Sequence, residues 1–394
     1  MEPVRISAGP VNLRPHTDDD IDGILDQCTD VGSQRWTTIP VPYTRAHAME
    51  YLRERVRPGW EREDYLAFAI ADAASDEFLG TIDVCPAGAG AGEIGFGLRA
   101  AARGRGAMTM AIRALAGWTF AADGLGLDVL HWRAQVGNWA SRKVAWRTGF
   151  RIEGAVRGLL LSRGRRYDGW IGSLRARDRR EATTPWYDVP TLRADRCVLR
   201  RFEPSDVDAV VEGCADPVTQ YWLGNLPTPY TKTDALGYIQ SREEEHASGR
   251  GIYWAVADPD TNRCIGSFGL MDIDRSTGSG EIGYWVHPRA RGQGVATQAT
   301  RLIVRHAAIA VEDGGLGLRR LTLRAAAANV ASQRVAERAG FARTGRQRAA
   351  ERVGGGVFED LIGFDLLTDD VVADEPGPNG AGAKDVAGNR RAGD

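Results

Sequence analysis

The segment Arg291-Gly292-Gln293-Gly294-Val295-Ala296 sets small residues at alternate positions between an apolar run and a stretch with helical spacing. Such a loop lets successive backbone N–H groups converge on an anion, and a following helix adds unpaired amides and the positive end of its dipole. That chemistry suits a pyrophosphate. No Gly-Lys-Ser/Thr follows, so this is not a P-loop, and Thr297 occupies the place where the dinucleotide fingerprint needs its last small residue. Read alone, the six residues are a Gly-containing turn. Two further groups flank them in sequence: a carboxylate, Glu281, upstream, and Asn329-Val330-Ala331-Ser332 downstream. A carboxylate and a hydroxyl can take and give a proton. The same residue types also have structural uses, since Asn and Ser cap helices and a half-buried strand Glu can pair with an Arg.

These groups need elements to position them, and the chain supplies the elements twice. Gly92-Glu93-Ile94-Gly95-Phe96 matches Gly280-Glu281-Ile282-Gly283-Tyr284 at a spacing of 188 residues, and Arg103-Gly104-Arg105-Gly106 falls on Arg291-Gly292-Gln293-Gly294 at the same spacing. Asn138 to Ser141 matches Asn329 to Ser332, and Gly149-Phe150 matches Gly340-Phe341, now 191 apart, which places an insertion near Glu312 to Gly315. Upstream, Trp36 pairs with Trp222 and Pro42-Tyr43-Thr44 with Pro229-Tyr230-Thr231; the two Trp could line a cleft, but core packing is the favoured reading. So long a period marks a duplicated domain rather than a solenoid. In the second copy strands are expected at 198–201, 253–257, 264–271, 281–286, 321–324 and 358–367. Helices are expected after Pro204-Ser205-Asp206, over a stretch carrying Ala299, Leu302, Ile303 and Ala310, and from Ser332 to Arg338.

The ordered set of strand with Glu281, RxxGxA loop, helix, strand, NxxS and Ala339-Gly340-Phe341 resembles the GNAT acyl-CoA-dependent N-acetyltransferases. Pro229-Tyr230-Thr231 and Gly283 to Pro288 look like the RimJ/RimL branch, and the resemblance covers nearly all of both repeats. It implies an α/β (α+β) fold: two tandem GNAT domains, each a central twisted mixed β-sheet flanked by helices. It further implies acetyl-CoA as co-substrate, with Val286 along the pantetheine arm and backbone amides of Gln293, Gly294, Val295 and Ala296 on the pyrophosphate. Arg291 and Gly292 belong to the same loop, Asn329 would lie along the cofactor, Ser332 would protonate the departing thiolate, and Glu281 stands where several members keep a general base. Arg103, Gly104, Arg105, Gly106 and Asn138 are the first-copy equivalents, with Glu93 and Ser141 also kept. The first loop carries Met108 where the second has Ala296, so the second copy is expected to hold the more intact acyl-CoA site. No metal is required.

Expected bounds are 1–175 for the first domain, 176–192 for a linker, 193–372 for the second domain and 373–394 for a disordered tail rich in Gly, Ala, Pro and charge. The length of 394 residues suits two domains at ~100–200 residues each. Fifty basic against 52 acidic residues gives a net charge of −2, which argues against a bulk-charge nucleic-acid binder. No apolar stretch is long enough to span a membrane, and none follows Met1 as a signal core. Five scattered Cys with no CxxC pair point to a reducing, cytoplasmic setting without a zinc site. Only Lys143, Lys232 and Lys384 break an otherwise all-Arg basic set, the mark of a GC-rich bacterial genome. The expected acceptor is a primary amine, a protein N-terminal α-amine first and a small molecule such as an antibiotic second. A non-catalytic acyl-CoA sensor or scaffold is the rival from another class.

Overall fold

The computed structural model describes residues 1–369, so the tail expected at 373–394 lies outside the described residues. The chain divides into two compact units, Met1–Thr183 and Thr184–Asp394. The first unit contains β1 (Ile6–Ala8), β2 (Val11–Arg14), β3 (Leu66–Asp72), β4 (Phe78–Gly88), β5 (Ala91–Leu98), β6 (Val129–Gln135), β7 (Arg151–Ser162) and β8 (Arg165–Arg175). They form one sheet in the order β1-β2-β3-β4-β5-β6-β8-β7. Only β5 and β6 run parallel. Its helices are α1 (Ile21–Thr29), α2 (Val31–Trp36), α3 (Arg45–Glu50), α4 (Arg57–Arg62), α5 (Ala107–Phe120) and α6 (Trp139–Arg147), with a π-helical turn, Tyr51–Val56, joining α3 to α4.

The second unit repeats this plan. Its strands are β9 (Leu192–Ala194), β10 (Cys197–Arg200), β11 (Ile252–Ala257), β12 (Cys264–Asp274), β13 (Ser279–Val286), β14 (Arg320–Ala326), β15 (Ala342–Arg352) and β16 (Phe358–Leu367). The order β9-β10-β11-β12-β13-β14-β16-β15 is that of the first sheet, and β13–β14 is again the parallel pair. Helices α7 (Val207–Ala215), α8 (Pro217–Trp222), α9 (Lys232–Ala247), α10 (Val295–Ala308) and α11 (Val330–Arg338) flank it. The central strands β3 and β11 are buried on nearly every residue, as strands sandwiched between helices must be. The mixed α/β architecture, in duplicate, is as the repeat implied.

Several details differ from the sequence reading, which did not foresee β9, α8 or the sixteen-residue α9. The helix expected to reach Ala310 stops at Ala308, because Val311–Asp313 forms a separate 3-10 turn within the inserted stretch. Pro204–Asp206 is likewise a 3-10 turn leading into α7 rather than its first turn. An eleven-residue strand, β15, was not expected, because all of it except Glu351 is exposed and no apolar alternation betrays it.

A buried ion pair braces each copy at the start of its first long helix. Arg200 Nη1 and Nη2 donate to Asp206 Oδ2 and Oδ1 at 2.8 and 2.9 Å, and Arg14 makes the same fork to Asp20 at 2.9 and 2.8 Å. Each Asp also accepts a backbone N–H, from Glu203 in one copy and Thr17 in the other. Removing one partner strands a buried charge, which costs about 3–5 kcal/mol. Asp206→Ala is therefore expected to lower the urea midpoint of the second unit by a corresponding amount. Lys232→Ala, which breaks an exposed pair with Asp208, should leave it unchanged; equal losses in both variants would show that burial does not set the cost.

Candidate active site

The parallel ladder between β13 and β14 is short. It runs from Ser279↔Arg320 to Ile282↔Leu323, although β13 continues to Val286. Beyond Leu323, β14 keeps its antiparallel partner β16 through Ala326, so the two parallel strands part. A cleft of about 640 Å³ opens where they separate. Residues 281–286 of β13 form one wall, and Arg324 to Ala326 with Asn329, Ser332 and Val335 form the other. Past Ile282 the inner edge of β13 has no strand partner, which leaves main-chain groups available to a ligand.

One end of the cleft is the Gly-rich loop. Gly292 and Gly294 adopt φ of +75° and +79°, a region that favours glycine. A Cβ on Gly292 would meet nothing within 4 Å, and one on Gly294 would meet only the Arg196 side chain at 3.8 Å. The open space lies in front of the backbone. The first rung of α10 is Gln298 N–H to the Gly294 carbonyl, so the amides of Val295, Ala296 and Thr297 have no acceptor within the helix. Val295 is anchored in the core, and both it and half-buried Ala296 line the cleft.

The loop's polar side chains have structural employment. Arg291 donates from Nε to the Val286 carbonyl at 3.1 Å, and from Nη2 to Asp216 Oδ2 and Thr219 Oγ1 at 2.6 and 2.7 Å. Asp216 in turn caps α8 by accepting the Thr219 N–H at 2.9 Å. Burial alone would raise the Asp216 carboxyl, but the Arg291 bond and the cap outweigh it and hold the group below its usual range. Gln293 is outside the cleft lining; its side chain donates to the Arg289 carbonyl at 2.7 Å. Its own carbonyl accepts from Arg196 Nη1 at 2.9 Å. Arg196, in the β9–β10 turn, thus places a cation beside the loop. Sequence reasoning missed it, because it stands about a hundred residues away with no motif around it.

The middle of the cleft holds the proton-transfer candidates. Ser332 Oγ lies 3.0 Å from the Tyr284 hydroxyl. Tyr284 stacks on Phe268 with ring centroids 4.5 Å apart, and burial pushes its hydroxyl up to about 12. Asn329 accepts the Ser332 N–H through Oδ1 at 3.1 Å, capping α11 while lining the cleft. Glu281 also lines the cleft, and both of its oxygens meet the Arg324 guanidinium at 3.0 Å. Val286, where β13 ends, completes this wall. Trp222, for which core packing was expected, is instead half-buried and faces the cleft. The Tyr284 hydroxyl and Arg324 were not singled out from the sequence, although Tyr284 sits inside the quoted Gly283 to Pro288 motif.

The first unit repeats the frame with changed fittings. Gly104 and Gly106 adopt φ of +78° and +80°, with nothing within 4 Å of either Cβ position. Arg103 contacts Asp30, Ser33 and the Leu98 carbonyl, the counterparts of the Arg291 partners. Arg105 is exposed. Asn138 caps α6 by accepting the Ser141 N–H at 3.2 Å, and Glu93 pairs with Arg133. Phe96 replaces Tyr284, so the Ser141 hydroxyl accepts instead from Trp132 Nε1 at 3.0 Å. Met108 is only 5% exposed and belongs to the core.

The family profile described as an acetyltransferase (GNAT) domain matches residues 11–151 and again 196–342. Among curated proteins, the chain is 30% identical over 118 residues to the uncharacterized N-acetyltransferase p20 of Bacillus licheniformis, which is 29% of this chain and 65% of that protein. The match therefore spans slightly less than two thirds of that relative. Among solved structures, RimJ of Mycobacterium smegmatis in complex with CoA-disulfide aligns at 20% identity, with 48% of this chain and 92% of that chain covered and a TM-score of 0.42. RimL, a ribosomal L7/L12 alpha-N-protein acetyltransferase in complex with coenzyme A, aligns at 21% identity over 45% and 98% with a TM-score of 0.40. With its domain matched twice over most of its length, the chain belongs to the GNAT acetyltransferase family.

Proposed function

We propose that this protein is an acyl-CoA-dependent N-acetyltransferase that moves an acetyl group from acetyl-CoA to a primary amine, a protein N-terminal α-amine by preference. One observation carries the reading: a single cleft joins a positive-φ glycine loop and open helix N-terminus to the Ser332–Tyr284 hydroxyl pair. The loop fits a pyrophosphate, because its backbone faces open space and the amides of residues 295–297 point from the positive end of α10. Arg196 adds a cation at the rim. The parted edge of β13 offers main-chain groups to the pantetheine arm, with Val286 at its end and Asn329 opposite.

The reaction needs a neutral amine, a stabilised oxyanion and a proton for the departing sulfur. Ser332 supplies the proton, and its neighbour Tyr284 is neutral at pH 7 and able to donate in turn. Glu281, whose two oxygens are held by Nε and Nη2 of Arg324, is better placed to orient the acceptor than to take its proton. That favours an acceptor which loses its proton readily: an α-amine titrates at about 7.7–8.0, a lysine at about 10.4. Small-molecule amines share this chemistry and belong in the same assay.

Thiol release from acetyl-CoA should therefore be faster with trialanine amide than with Nα-acetyl-lysine amide, and should rise with pH as the free amine grows. Calorimetric binding of acetyl-CoA without release for any peptide or small amine would instead make the protein a sensor. Ser332→Ala should lower kcat of the second unit by roughly a hundredfold or more with little change in acetyl-CoA affinity. Gly294→Glu should remove the binding site of that unit, because it strains the backbone and sets a carboxylate against the pyrophosphate. An alanine variant with wild-type kcat would reduce Ser332 to a residue of its helix.

A further inference from the structure

Aligning the two sheets by register exposes a carboxylate in the first unit that the second unit lacks. Asp83 of β4 lies opposite Ala67 and Gly95, and its counterpart Gly269 of β12 lies opposite Tyr253 and Gly283. In the second unit the Tyr253 ring covers Gly269, coming within 2.6 Å of where a Cβ would stand, and Met271 Cε comes equally close over Gly283. Gly283 and Met271 both line the acyl-transfer cleft. In the first unit the small Ala67 frees that space. The Asp83 carboxylate fills it, with oxygens 2.8 and 3.0 Å from the Cβ position of Gly95.

Gly95 is also where β5 leaves its parallel partner, since the β5–β6 ladder ends at Ile94↔Trp132. The carboxylate therefore stands at the mouth of the gap, on the face that carries Glu93 two residues earlier. Glu93 itself is engaged by Arg133. The groups facing Asp83 are Cys85 on its own strand, whose thiol lies 3.8 Å away, Glu93 of β5, Tyr65 just before β3, and Arg55 and Tyr51 of the π-helical turn. Arg55 lies over the Tyr65 ring at 4.1 Å, and the Tyr51 and Tyr65 hydroxyls are 3.1 Å apart. The phosphate-facing loop of this unit keeps both positive-φ glycines, and Met108 is tucked into the core.

We propose that the first unit is a second acyl-transfer site with its own acceptor chemistry, in which Asp83 binds a primary ammonium group and takes its proton. The proposal rests on the acetyl-CoA reading above. The ammonium gives one proton to the Asp83 carboxylate, and the freed lone pair forms the N–C bond to the thioester carbonyl. The C–S bond breaks with its electrons going to sulfur. Nitrogen then sheds a second proton; of the two lost, one ends on the thiol and one in solvent. Burial raises the Asp83 carboxyl to about 6, against the opposing pull of Arg55 and the Tyr65 hydrogen bond. It is then ionised at neutral pH yet basic enough to hold a proton briefly. The second unit, walled there by Tyr253 and Met271, has no such base.

The full-length Gly294→Glu protein isolates the first site. It should bind one acetyl-CoA where the wild type binds two, and should still release thiol with trialanine amide. Its kcat/KM should show an acidic limb near pH 6. In that background Asp83→Asn should cut kcat at least tenfold and erase the limb while leaving acetyl-CoA binding intact. Arg55→Gln, a change at an exposed side chain, should move the limb to higher pH, because it removes a cation that holds the Asp83 carboxyl down. A purely structural Asp83 would not respond to Arg55. If Gly294→Glu abolishes all turnover while the wild type is active, the function stands and this second site falls. An unchanged limb in Asp83→Asn would overturn the base assignment, and a wild type that acetylates no amine would overturn both readings.

Discussion

Two parallel strands that stop pairing halfway along are the constraint on which the rest of this architecture hangs. The β13–β14 ladder ends at Ile282↔Leu323 because β14 stays with β16 while β13 stays with β12. Unpaired backbone at the centre of a sheet is costly unless something else satisfies it. A ligand laid along the gap can do so, and the loop after β13 turns open backbone and unpaired helix amides toward one end of that gap. The duplicated Arg clamp serves the same purpose. By tying the end of β13 to the cap of α8, Arg291 fixes where the strand finishes and hence where the loop begins. Arg103 does this for β5 through Asp30.

What could be read from the sequence was whatever depends on backbone conformation. Glycines at 104, 106, 292 and 294 announce positive φ, and Asn and Ser at the start of α6 and α11 announce a capped helix beside the cleft. What could not be read depends on which distant side chains meet. Nothing around Arg324 says that it grips Glu281, and nothing around Arg196 says that it reaches the Gln293 carbonyl. Trp222 looked like core because aromatic residues usually are, but the end of a short helix at the cleft rim leaves it half-buried. The long side chain at Met108 could have faced either way. Helix α5 turns it inward.

Duplication also makes the two copies controls for each other. Where one carries Ala67 and Asp83 as cross-strand neighbours, the other carries Tyr253 and Gly269. Side-chain bulk has moved from one strand to the next while the sheet stays the same. The group beside the Ser hydroxyl of the cleft changes by the same kind of exchange. Tyr284 and Leu323 in one copy become Phe96 and Trp132 in the other, and in both the Ser hydroxyl still has a donor beside it. Packing demands are met in either arrangement, so the chemistry of the cleft is free to differ.

The unforeseen strand β15 has a further effect through its place at the border of the second sheet. A border strand leaves a row of main-chain donors and acceptors ready to recruit a stranger's strand. Here that row is flanked by Arg343, Arg346, Arg348 and Arg352, nearly all of it in water. Two such borders brought together would set like charges side by side, so β15 resists templated stacking by repulsion. In the first sheet the border is β7, whose Leu159-Leu160-Leu161 stretch, with Leu161 well exposed, lacks that guard. Of the two halves, the first has the stickier rim.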